Sequence, residues 1–511
     1  MNEPPETLIA RSAQLTVGEI LRDQAALQPY ALAIEDGKRC YSYAVFNARV
    51  NRLAHALAAK GVAHGDRIAI LAENCIEYME VAYAAAKSGA IICALNWRLA
   101  AGELSHCVNL TTPKLAFVSE RFAETFATLE TATEETVIFG DAYEELLAAA
   151  SPDEPTITAS PEDGLVIIYT SGTTGLPKGA LISHRAEIAR MQSSCLDFGL
   201  RPGDTFLAWP PMFHMASMDQ SISVLSLGGK VIVVDGFDAE RMVDVTTTEP
   251  QWWLLLMPGM IEPFAEALKR RNMPAKPVTV VGAMADLVPR HQIAEITTLV
   301  QAPYANTFGA TETGLPPASA GLIPIGVTPD SLSKTQSAMC RCRLVDPDDN
   351  DVAAGAVGEL AFRGPTLFSG YWNAPDANAE DFRGGWFHMG DAFRRNPDGA
   401  LDFVDRVKYM IKSGGENIYP AEIEQVLLAD PRVDDAVVVR AQDDRWGEVP
   451  VAFVAANDPA LTAEDLAGQC RAALAGYKQP KQIRFVALDD LPRSTTGKIQ
   501  RHEVEKWLAG S

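Results

Sequence analysis

Apolar residues near the start of the chain follow two kinds of spacing. Between residues 45 and 62 they recur on one face of a predicted helix, at Val50, Leu53, Leu57 and Ala58. We expect Gly61 to end this helix, because glycine readily adopts the left-handed conformation found after helix ends. The short run Arg67–Leu71 is mostly apolar and predicts a buried strand.

The two patterns then alternate along the chain. Further helices are predicted near residues 78–88 and 102–109, and further strands at 90–95 and 115–118. Later β-rich runs lie at 165–169, 230–234, 252–257, 278–281, 437–439 and 451–454. Strands that alternate with helices indicate an α/β fold with parallel sheets. We therefore expect a large N-terminal domain of layered sheets and helices.

A second domain is predicted after a turn. The segment 396–399 contains proline and glycine, and the apolar residues that flank it, Phe393 and 401–404, suggest a hairpin. About a hundred residues with helices and strands of their own follow this hairpin. We predict an N-terminal domain at 1–405 and a small α+β C-terminal domain at 406–511.

Composition and charge limit the possible functions. The chain has 511 residues, of which 47% are hydrophobic and 22% charged, as in ordinary globular proteins. This length exceeds what one hydrophobic core usually supports, in agreement with two domains. The net charge of -22 argues against a nucleic-acid surface, because phosphate backbones require an excess of lysine and arginine. Small phosphate ligands need only local positive groups.

Signals for secretion, membrane insertion or structural metals do not appear in the sequence. The first residues are acidic, and no stretch reaches the roughly 18 apolar residues of a membrane span. The eight cysteines include one isolated Cys340-x-Cys342 pair, so a zinc site is not expected. The default expectation is a cytoplasmic protein with no membrane span.

A phosphate-binding loop is the clearest chemical signal. The segment 169–179 follows an apolar strand and is rich in serine, threonine and glycine. Gly172, Gly175 and Gly179 let backbone N–H groups converge on an anion, and Lys178 adds a positive charge. The spacing fits neither the P-loop nor the dinucleotide-binding pattern. Taken alone, such a stretch is also typical of a flexible turn between a strand and a helix.

Six motifs in order resemble those of the AMP-forming acyl-CoA synthetases, within the adenylate-forming superfamily. They lie at 169–179, 211–214, 306–313, 386–391, 405–422 and 492–499. The resemblance spans nearly the whole chain. It implies an enzyme that uses ATP and Mg2+ to convert a carboxylic acid to an acyl-AMP, releases pyrophosphate, and transfers the acyl group to coenzyme A. It also implies that the small C-terminal domain is mobile.

The resemblance assigns ATP or AMP binding to Thr170, Ser171, Gly172, Thr173, Thr174, Gly175, Lys178, Asn306, Thr307, Phe308, Gly309, Thr311, Asp391, Arg406 and Lys498. The implied catalytic residues are Lys498, Glu312, Thr170, Lys178 and His214, and Glu312 is the implied magnesium ligand. Taken singly, each has a structural alternative. Asp391 fits a turn cap, Glu312 a solvated carboxylate, Lys498 a surface lysine and His214 a packed core side chain.

The resemblance assigns the acid pocket to His214, Met215, Met218, Gly282, Ala283, Gly309 and Ala310. His214 stands where amino-acid-activating relatives usually carry an aspartate, which disfavours an amino-acid substrate. Methionines in or near the pocket suggest a bulky hydrophobic acid, at Met212, Met215, Met218, Met257, Met260 and Met284. Ordinary core packing explains these methionines nearly as well.

The second half-reaction is assigned to the C-terminal domain. The resemblance implies that this domain turns about the hinge residue Lys408 and withdraws Lys498 from the site. Coenzyme A is then expected at Lys412, Ser413, Gly414, Gly415 and Glu416.

Three positions depart from the family pattern. Phe308 replaces the usual tyrosine, so stacking on adenine survives without the hydroxyl. Asp405 replaces a glycine before the hinge arginine, which puts the local turn geometry in question. The segment 334–338, beginning with Lys334, replaces a glycine-rich stretch, so a surface loop is expected to differ there.

Other functions remain open at this stage. The acyl acceptor is coenzyme A or the thiol of a carrier protein, and the two share pantetheine chemistry. A luciferase-like reaction would require oxygen chemistry, which no residue singles out. A non-catalytic nucleotide-binding module predicts loss of Lys498, Glu312 or Asp391, and all three are present. The sequence leaves open which acid is activated and whether the chain forms a homodimer.

Overall fold

The computed structural model describes residues 4–12, 14–131, 133–170, 176–413, 416–443, 445–493 and 499–508. The chain divides into two compact units. The first contains residues 1–341 and 363–381, and the second contains 342–362 and 382–511. The second unit thus combines two separate stretches of chain. The predicted boundary at 405/406 stays a prediction of where the moving part begins.

The strands of the first unit are, in chain order, β1 (Leu32–Glu35), β2 (Cys40–Ser42), β3 (Arg67–Leu71), β4 (Ile91–Ala94), β5 (Leu115–Val118), β6 (Glu135–Ile138), β7 (Gly164–Thr170), β8 (Lys178–Ser183), β9 (Thr205–Ala208), β10 (Lys230–Val233), β11 (Gln251–Leu254), β12 (Val278–Val281), β13 (Tyr304–Ala305), β14 (Gly309–Ala310), β15 (Gly314–Pro317) and β16 (Leu322–Ile323).

The helices of this unit are α1 (Pro5–Ser12), α2 (Val17–Leu27), α3 (Tyr43–Ala59), α4 (Ile76–Ser88), α5 (Ala101–Thr111), α6 (Ala123–Ala127), α7 (Asp141–Ala148), α8 (His184–Phe198), α9 (Met215–Ser226), α10 (Ala239–Thr248), α11 (Ile261–Arg271), α12 (Arg290–Val300) and α13 (Pro375–Asp381). No helix in the described ranges is both long and apolar enough to cross a membrane.

These strands form two large sheets and a short hairpin. One sheet has the order β6-β5-β3-β4-β7-β8, and the other has the order β16-β13-β12-β11-β9-β10-β1-β2. Their inner strands pair in parallel, while β8, β2 and β16 run antiparallel to their neighbours. β14 and β15 form the hairpin. The predicted α/β fold with a large N-terminal domain of layered sheets and helices is confirmed.

Burial on both faces explains where the strand predictions succeed. β3, β5 and β12 coincide with the predicted runs. β5 is buried at every residue, and a strand covered on both faces is a continuous apolar run. The run at 252–257 overestimates its strand, since β11 ends at Leu254. In α3, the three predicted core residues Val50, Leu53 and Leu57 are buried. The expectation that Ala58 shares their face is wrong, because Ala58 is exposed.

The second unit contains β17 (Arg341–Val345), β18 (Val357–Arg363), β19 (Phe387–Arg395), β20 (Leu401–Arg406), β21 (Ile411–Ser413), β22 (Glu416–Ile418), β23 (Val433–Asp443), β24 (Gly447–Ala456), β25 (Gln482–Phe485), α14 (Pro420–Leu428), α15 (Ala463–Ala473) and α16 (Arg501–Lys506). One sheet has the order β17-β18-β19-β20, and in the other β24 pairs with β21, β23 and β25.

The predicted hairpin at 396–399 joins β19 to β20. The N–H of Asn396 donates to the carbonyl of Ala400 at 2.8 Å, and Gly399 adopts a φ of 90° that favours glycine. The hairpin therefore lies inside the second unit rather than at its edge.

Strands β23 and β24 carry the core of the second unit on both of their faces. Alternate residues of a strand point to opposite faces, so Val438 and Val454 pack in one apolar cluster and Val437 and Phe453 in another. Leu466 of α15 belongs to the first cluster, and Val504 of α16 belongs to the second. The predicted runs 437–439 and 451–454 are the doubly covered middles of these strands.

Candidate active site

The predicted phosphate loop connects two antiparallel neighbours of the six-stranded sheet. β7 ends at Thr170, β8 begins at Lys178, and these two residues pair across the ladder. The chain thus passes from strand to strand, and the alternative of a turn leading into a helix is wrong. The predicted phosphate-binding residues between the strands lie outside the described residues: Ser171, Gly172, Thr173, Thr174 and Gly175.

Gly179 lies within β8 and is explained by packing. A Cβ at this position would lie 2.8 Å from Cγ2 of Ile167, closer than side-chain atoms approach one another. Its carbonyl also accepts a hydrogen bond of 2.8 Å from the N–H of Trp372. The structure therefore accounts for this glycine without an anion.

Tyr371 connects two residues that were predicted separately. Its hydroxyl donates to Oε1 of Glu312 at 2.7 Å, and Nζ of Lys178 lies 4.6 Å from the centroid of its ring. Lys178 also lies 3.9 Å from Oδ2 of Asp381. The predicted phosphate-binding cation and the predicted magnesium ligand are thus neighbours of one side chain. Sequence analysis missed Tyr371, whose signal is an aromatic residue directly after Gly370.

The loop that carries Glu312 is fixed through its backbone. It connects β14 to β15, and the carbonyl of Glu312 accepts a hydrogen bond of 2.8 Å from the N–H of Phe368. The hydroxyl of Thr313 accepts from the N–H of Ala310 at 3.2 Å and donates to the carbonyl of Pro316 at 2.6 Å. At Gly309, a Cβ would lie 2.1 Å from a carbonyl oxygen on the facing strand, so this position requires glycine.

The Glu312 carboxylate fits a magnesium ligand. It is half-buried, and among the described residues only Tyr371 hydrogen-bonds to it, through Oε1. Carboxylate oxygen is the donor that Mg2+ prefers, and this ion usually binds one or two carboxylates together with phosphate oxygens and water. The described residues contain no group of three or more side chains that would hold a metal without such partners.

The predicted adenine segment is held by bonds to its own surroundings. The hydroxyl of Thr307 accepts from the N–H of Met284 at 2.9 Å, and the N–H of Phe308 donates to the hydroxyl of Ser319 at 2.9 Å. The Asn306 amide donates to the carbonyls of Leu332 and Ser333 at 3.0 and 3.1 Å. Most of the Asn306 side chain is therefore engaged inside the first unit.

Lys334 lies beneath this segment and is buried, although Thr335 next to it is exposed as expected of a surface loop. Its ammonium binds Oδ1 of Asn306 and Oδ2 of Asp286, the latter at 2.6 Å, and the side chain is fully buried. Ser337 is buried as well. A buried lysine needs a charged partner, and Asp286 supplies it. The replacement of a glycine-rich stretch thus adds an internal ion pair next to Asn306.

Tyr304 shapes the predicted pocket turn after β12. Its hydroxyl donates to the carbonyl of Ala283 at 2.8 Å, and a Cβ at Gly282 would lie 2.0 Å from its ring. Gly282 has a φ of 75°, and its carbonyl accepts from the indole N–H of Trp253 at 2.8 Å. Two aromatic side chains therefore require glycine at 282 and fix the turn.

His214 begins α9 as its N-cap. Nδ1 accepts a hydrogen bond of 3.1 Å from the N–H of Ala216, so this nitrogen carries no proton. Met212 and Met218 are fully buried, and Met215 is nearly so, whereas Met284 is half-buried. Ordinary core packing thus accounts for Met212 and Met218.

Asp391 and Arg406 face each other in the second unit. They are paired across β19 and β20, and Nε of Arg406 lies 2.8 Å from Oδ1 of Asp391. Glu359, which sequence analysis missed, accepts from the N–H of Gly390 at 3.1 Å and binds Arg383 at 2.6 Å. The turn that presents Asp391 is therefore fixed by a neighbouring carboxylate.

Asp405 stabilises the segment before Lys408. It accepts from the N–H of Ala421 at 2.8 Å and pairs with Arg501 at 3.1 Å. Arg501 also binds Glu424 at 2.5 Å, and burial raises the pKa of Glu424 to about 7 although Arg501 opposes this. The glycine expected at 405 is not needed, because an extended strand conformation accommodates aspartate here.

The predicted coenzyme A segment is a hairpin of β21 and β22. Ser413 pairs with Glu416, and the N–H of Lys412 donates to Oε2 of Glu448 at 2.9 Å. The carbonyl of Lys408 accepts a bond of 3.3 Å from Arg440. Gly414, Gly415 and Lys498 lie outside the described residues.

Known proteins of one family match the chain along its length. Residues 21–372 match the AMP-binding enzyme family, and residues 422–498 match the AMP-binding enzyme C-terminal domain. The chain is 34% identical over 509 residues to the indoleacetate–CoA ligase of Aromatoleum aromaticum, covering 97% of this chain and 98% of that protein. It is 33% identical over 500 residues to the fatty acid–acyl-carrier-protein ligase ScoC of Streptomyces coeruleorubidus, covering 94% of each.

The fold matches solved structures as well. One is the o-succinylbenzoate coenzyme A synthetase MenE of Bacillus subtilis in complex with ATP and magnesium ion, with a TM-score of 0.82 and 26% identity. The match covers 96% of this chain and 99% of that one. The chain belongs to the AMP-binding enzyme family, as an ATP-dependent acid–thiol ligase of the acyl-CoA synthetase type.

Proposed function

We propose that this enzyme activates a bulky hydrophobic acid, with Lys178 and Glu312 serving the phosphates of ATP. The observation that carries this assignment is the arrangement around Tyr371, which lies between a cation and a carboxylate that the sequence assigned to the same nucleotide. A carboxylate oxygen of the acid bonds to the α-phosphorus, and the bond to the leaving pyrophosphate breaks. The product is an acyl-AMP.

Charge neutralisation is the main task in this step. Two unit charges about 4 Å apart repel by about 4 kcal/mol at an effective dielectric near 20, and both the acid and the phosphate are anions. Thr170 and Lys178 pair at the two strand ends that flank the loop, and their hydroxyl and ammonium are groups that attract phosphate oxygens. Mg2+ bound through Glu312 supplies further positive charge when present.

The ribose is assigned to the second unit. Asp391 accepts hydrogen bonds from the ribose hydroxyls in this proposal, with Arg406 orienting its carboxylate. Support comes from the ion pair of 2.8 Å between them and from the near-complete burial of Asp391. Replacing Asp391 with asparagine should weaken AMP binding, measured by calorimetry, without changing the response to added magnesium.

Transfer to the thiol is assigned to the C-terminal segment 406–511. We propose that it turns about Lys408, withdraws Lys498 after adenylation and brings Lys412, Ser413 and Glu416 to the pantetheine arm. Lys498→Ala should abolish most exchange of pyrophosphate into ATP while sparing thioester formation from preformed acyl-AMP. Equal loss of both activities would contradict the rotation.

The proposed class of acid is supported by the predicted pocket residues and by the substrates named for the relatives. His214 stands where amino-acid-activating enzymes carry an aspartate, and Met284 remains half-buried at the predicted pocket. Relatives are described as ligases of indoleacetate, ferulate and long-chain fatty acids. These features favour an aromatic or long-chain acid over acetate.

A carrier-protein thiol is the second candidate acceptor. The specific reason is the 33% identity to the fatty acid–acyl-carrier-protein ligase ScoC. Coenzyme A and a phosphopantetheinylated carrier protein, offered separately to the same acyl-AMP, distinguish the two by mass spectrometry of the thioester.

Exchange of labelled pyrophosphate into ATP tests the activation step. The panel contains indole-3-acetate, ferulate, palmitate, 2-succinylbenzoate and acetate. Exchange that depends on one of the larger acids supports the proposal, and preference for acetate contradicts the acid class. An absence of exchange with every acid of the panel would contradict the proposed acid class.

A further inference from the structure

One buried arginine connects the helix that begins at the predicted acid pocket with the loop that carries Glu312. Arg190 lies on α8, and its side chain is 2% exposed. Nη1 donates to Oδ2 of Asp219 on α9 at 3.0 Å, and Nη2 donates to the carbonyl of Thr311 at 2.8 Å. Because α9 follows His214 and Thr311 precedes Glu312, a single side chain links the helix after His214 to the loop that carries Glu312.

The stem of Arg190 also packs against this loop. A Cβ at Gly314 would lie 2.9 Å from Cγ of Arg190, so the hairpin backbone rests directly on the side chain. Nε of Arg190 donates to the carbonyl of Thr366 at 3.3 Å. Thr366 precedes Phe368, whose N–H binds the carbonyl of Glu312. Two backbone segments next to Glu312 therefore depend on the same guanidinium.

The charges around Arg190 balance within the protein. Glu187 is fully buried on α8, with Oε1 3.9 Å from Nη1 of Arg190. Burial, together with the neighbouring carboxylate of Asp219, raises the pKa of Glu187 well above its usual range. Burial raises the pKa of Asp219 as well, but Arg190 opposes this rise by donating to Asp219 directly, whereas Glu187 lies farther from the guanidinium. The buried arginine thus has its counter-ion inside the cluster, as a dry interior requires.

We propose that Arg190 is a positioning residue that fixes the Thr311 carbonyl and thereby the direction in which the Glu312 carboxylate meets magnesium-bound ATP. This inference rests on the proposed function, in which Glu312 is the magnesium ligand. A guanidinium suits the task because its planar fork donates in two directions at once, whereas an ammonium acts as a point charge.

A merely structural role would stabilise the contact between α8 and α9 and leave the magnesium dependence of ATP binding unchanged. The two roles are therefore distinguished by the ratio of ATP-analogue affinities with and without magnesium. Isothermal titration calorimetry gives the dissociation constant of α,β-methylene-ATP with excess Mg2+ and with EDTA, and the quotient measures what magnesium adds.

Arg190→Lys is the test variant, because lysine keeps a cation for Asp219 while losing the bond to Thr311. Arg185→Lys is the matched control. Arg185 lies on the same helix and binds the carbonyls of Pro365 and Leu367. No bond from Arg185 to the loop of Glu312 is found among the described residues.

We expect Arg190→Lys to reduce the magnesium ratio about tenfold, as loss of one charge-assisted hydrogen bond implies. The control should stay within about twofold of wild type. If Arg190→Lys unfolds in a thermal melt, the neutral pair Arg190→Met with Asp219→Asn replaces it, with the same expected loss.

An unchanged ratio in the folded test variant overturns the inference while wild-type binding upholds the proposed function. Wild-type protein that binds α,β-methylene-ATP in neither condition overturns both. The two failures are thus distinguished within one set of titrations.

Discussion

Two groups of charged residues in the first unit are built in opposite ways. Around Tyr371, Lys178 and Glu312 are partly exposed, and the aromatic ring and its hydroxyl are their close neighbours. Around Arg190, the three ionisable side chains are almost completely buried, and the arginine pairs directly with Asp219. Charges at the proposed ligand site thus stay partly open to solvent, with Asp381 3.9 Å from Lys178, whereas the charge inside the scaffold is paired within the protein.

The largest effect on activity is expected at Glu312, in the group around Tyr371. Glu312→Gln removes the proposed magnesium ligand but keeps its size, so we expect pyrophosphate exchange to fall by about a hundredfold or more. The melting temperature should not change, because the loop is fixed by its backbone. Glu240→Gln is the control, since Glu240 forms an exposed ion pair with Arg270. Full exchange activity in Glu312→Gln would remove Glu312 from the site.

Substitutions in the Arg190 cluster should lower the free energy of unfolding. The double variant Glu187→Gln with Asp219→Asn leaves Arg190 buried without a counter-ion, which costs about 3 kcal/mol or more. Glu187→Gln alone mimics the protonated acid and should cost less than about 1 kcal/mol. Thermal melts measure both as changes in melting temperature.

Asp219→Asn alone should fall between these two, because Glu187 can then ionise and take the place of Asp219. The expected result is a double variant that loses more stability than the two single variants combined. A loss in Glu187→Gln as large as that of the double variant would mean that Glu187 is ionised in the native protein.

A smaller effect is expected at Tyr371. Tyr371→Phe keeps the ring beside Lys178 and removes the hydrogen bond to Glu312, so exchange should slow about tenfold. Tyr477→Phe is a suitable control, since that ring is exposed. If both variants exchange at the wild-type rate, the hydroxyl of Tyr371 does not orient the carboxylate.

A further prediction concerns the dependence of stability on pH. Burial lowers the pKa of His184 to about 4, and Asp163 only partly opposes this. In the unfolded chain a histidine takes up its proton near pH 6.5, so lowering the pH from there toward 4 favours unfolding by up to about 1.4 kcal/mol per pH unit. Above pH 6.5 this contribution to stability is fully present.

His184→Asn tests this assignment, because asparagine still accepts the N–H of Val17 that Nδ1 accepts now. We expect its melting temperature to fall less steeply than that of wild type between pH 6.5 and 4. His502→Asn, at an exposed position, should leave the slope unchanged. Parallel curves for wild type and His184→Asn would contradict neutral burial of this ring.

The sequence predicted the elements whose burial is uniform. β5 is apolar along its length and was located residue for residue, because both of its faces are covered. Glu187 and Arg190 have the i,i+3 spacing of an ordinary exposed ion pair, so nothing in the sequence indicates that α9 covers them. Lys334 is likewise expected at the surface from its sequence, and only the tertiary structure shows that Asp286 is its partner.

Some of the site residues could be predicted from the sequence, whereas others depend on the fold. Motif strings predict Thr170, Lys178 and Glu312 as site residues, because such strings are local in sequence. Tyr371 lies 59 residues beyond Glu312 and belongs to no periodic pattern, so its hydrogen bond is a property of the fold. Asn306 matched its motif, yet its side chain is engaged internally, which a string cannot reveal.

The interleaved division of the chain limits how this enzyme can recombine with its relatives. The stretch 363–381, which carries Tyr371, belongs to the first unit but is bracketed in sequence by β18 and β19 of the second. One crossover near residue 341 gives Glu312 and Tyr371 different parents, and one near 405 does the same to Asp391 and Arg406. A single junction between residues 381 and 382 keeps both pairs intact, whereas exchange of the whole second unit, 342–362 with 382–511, needs three junctions.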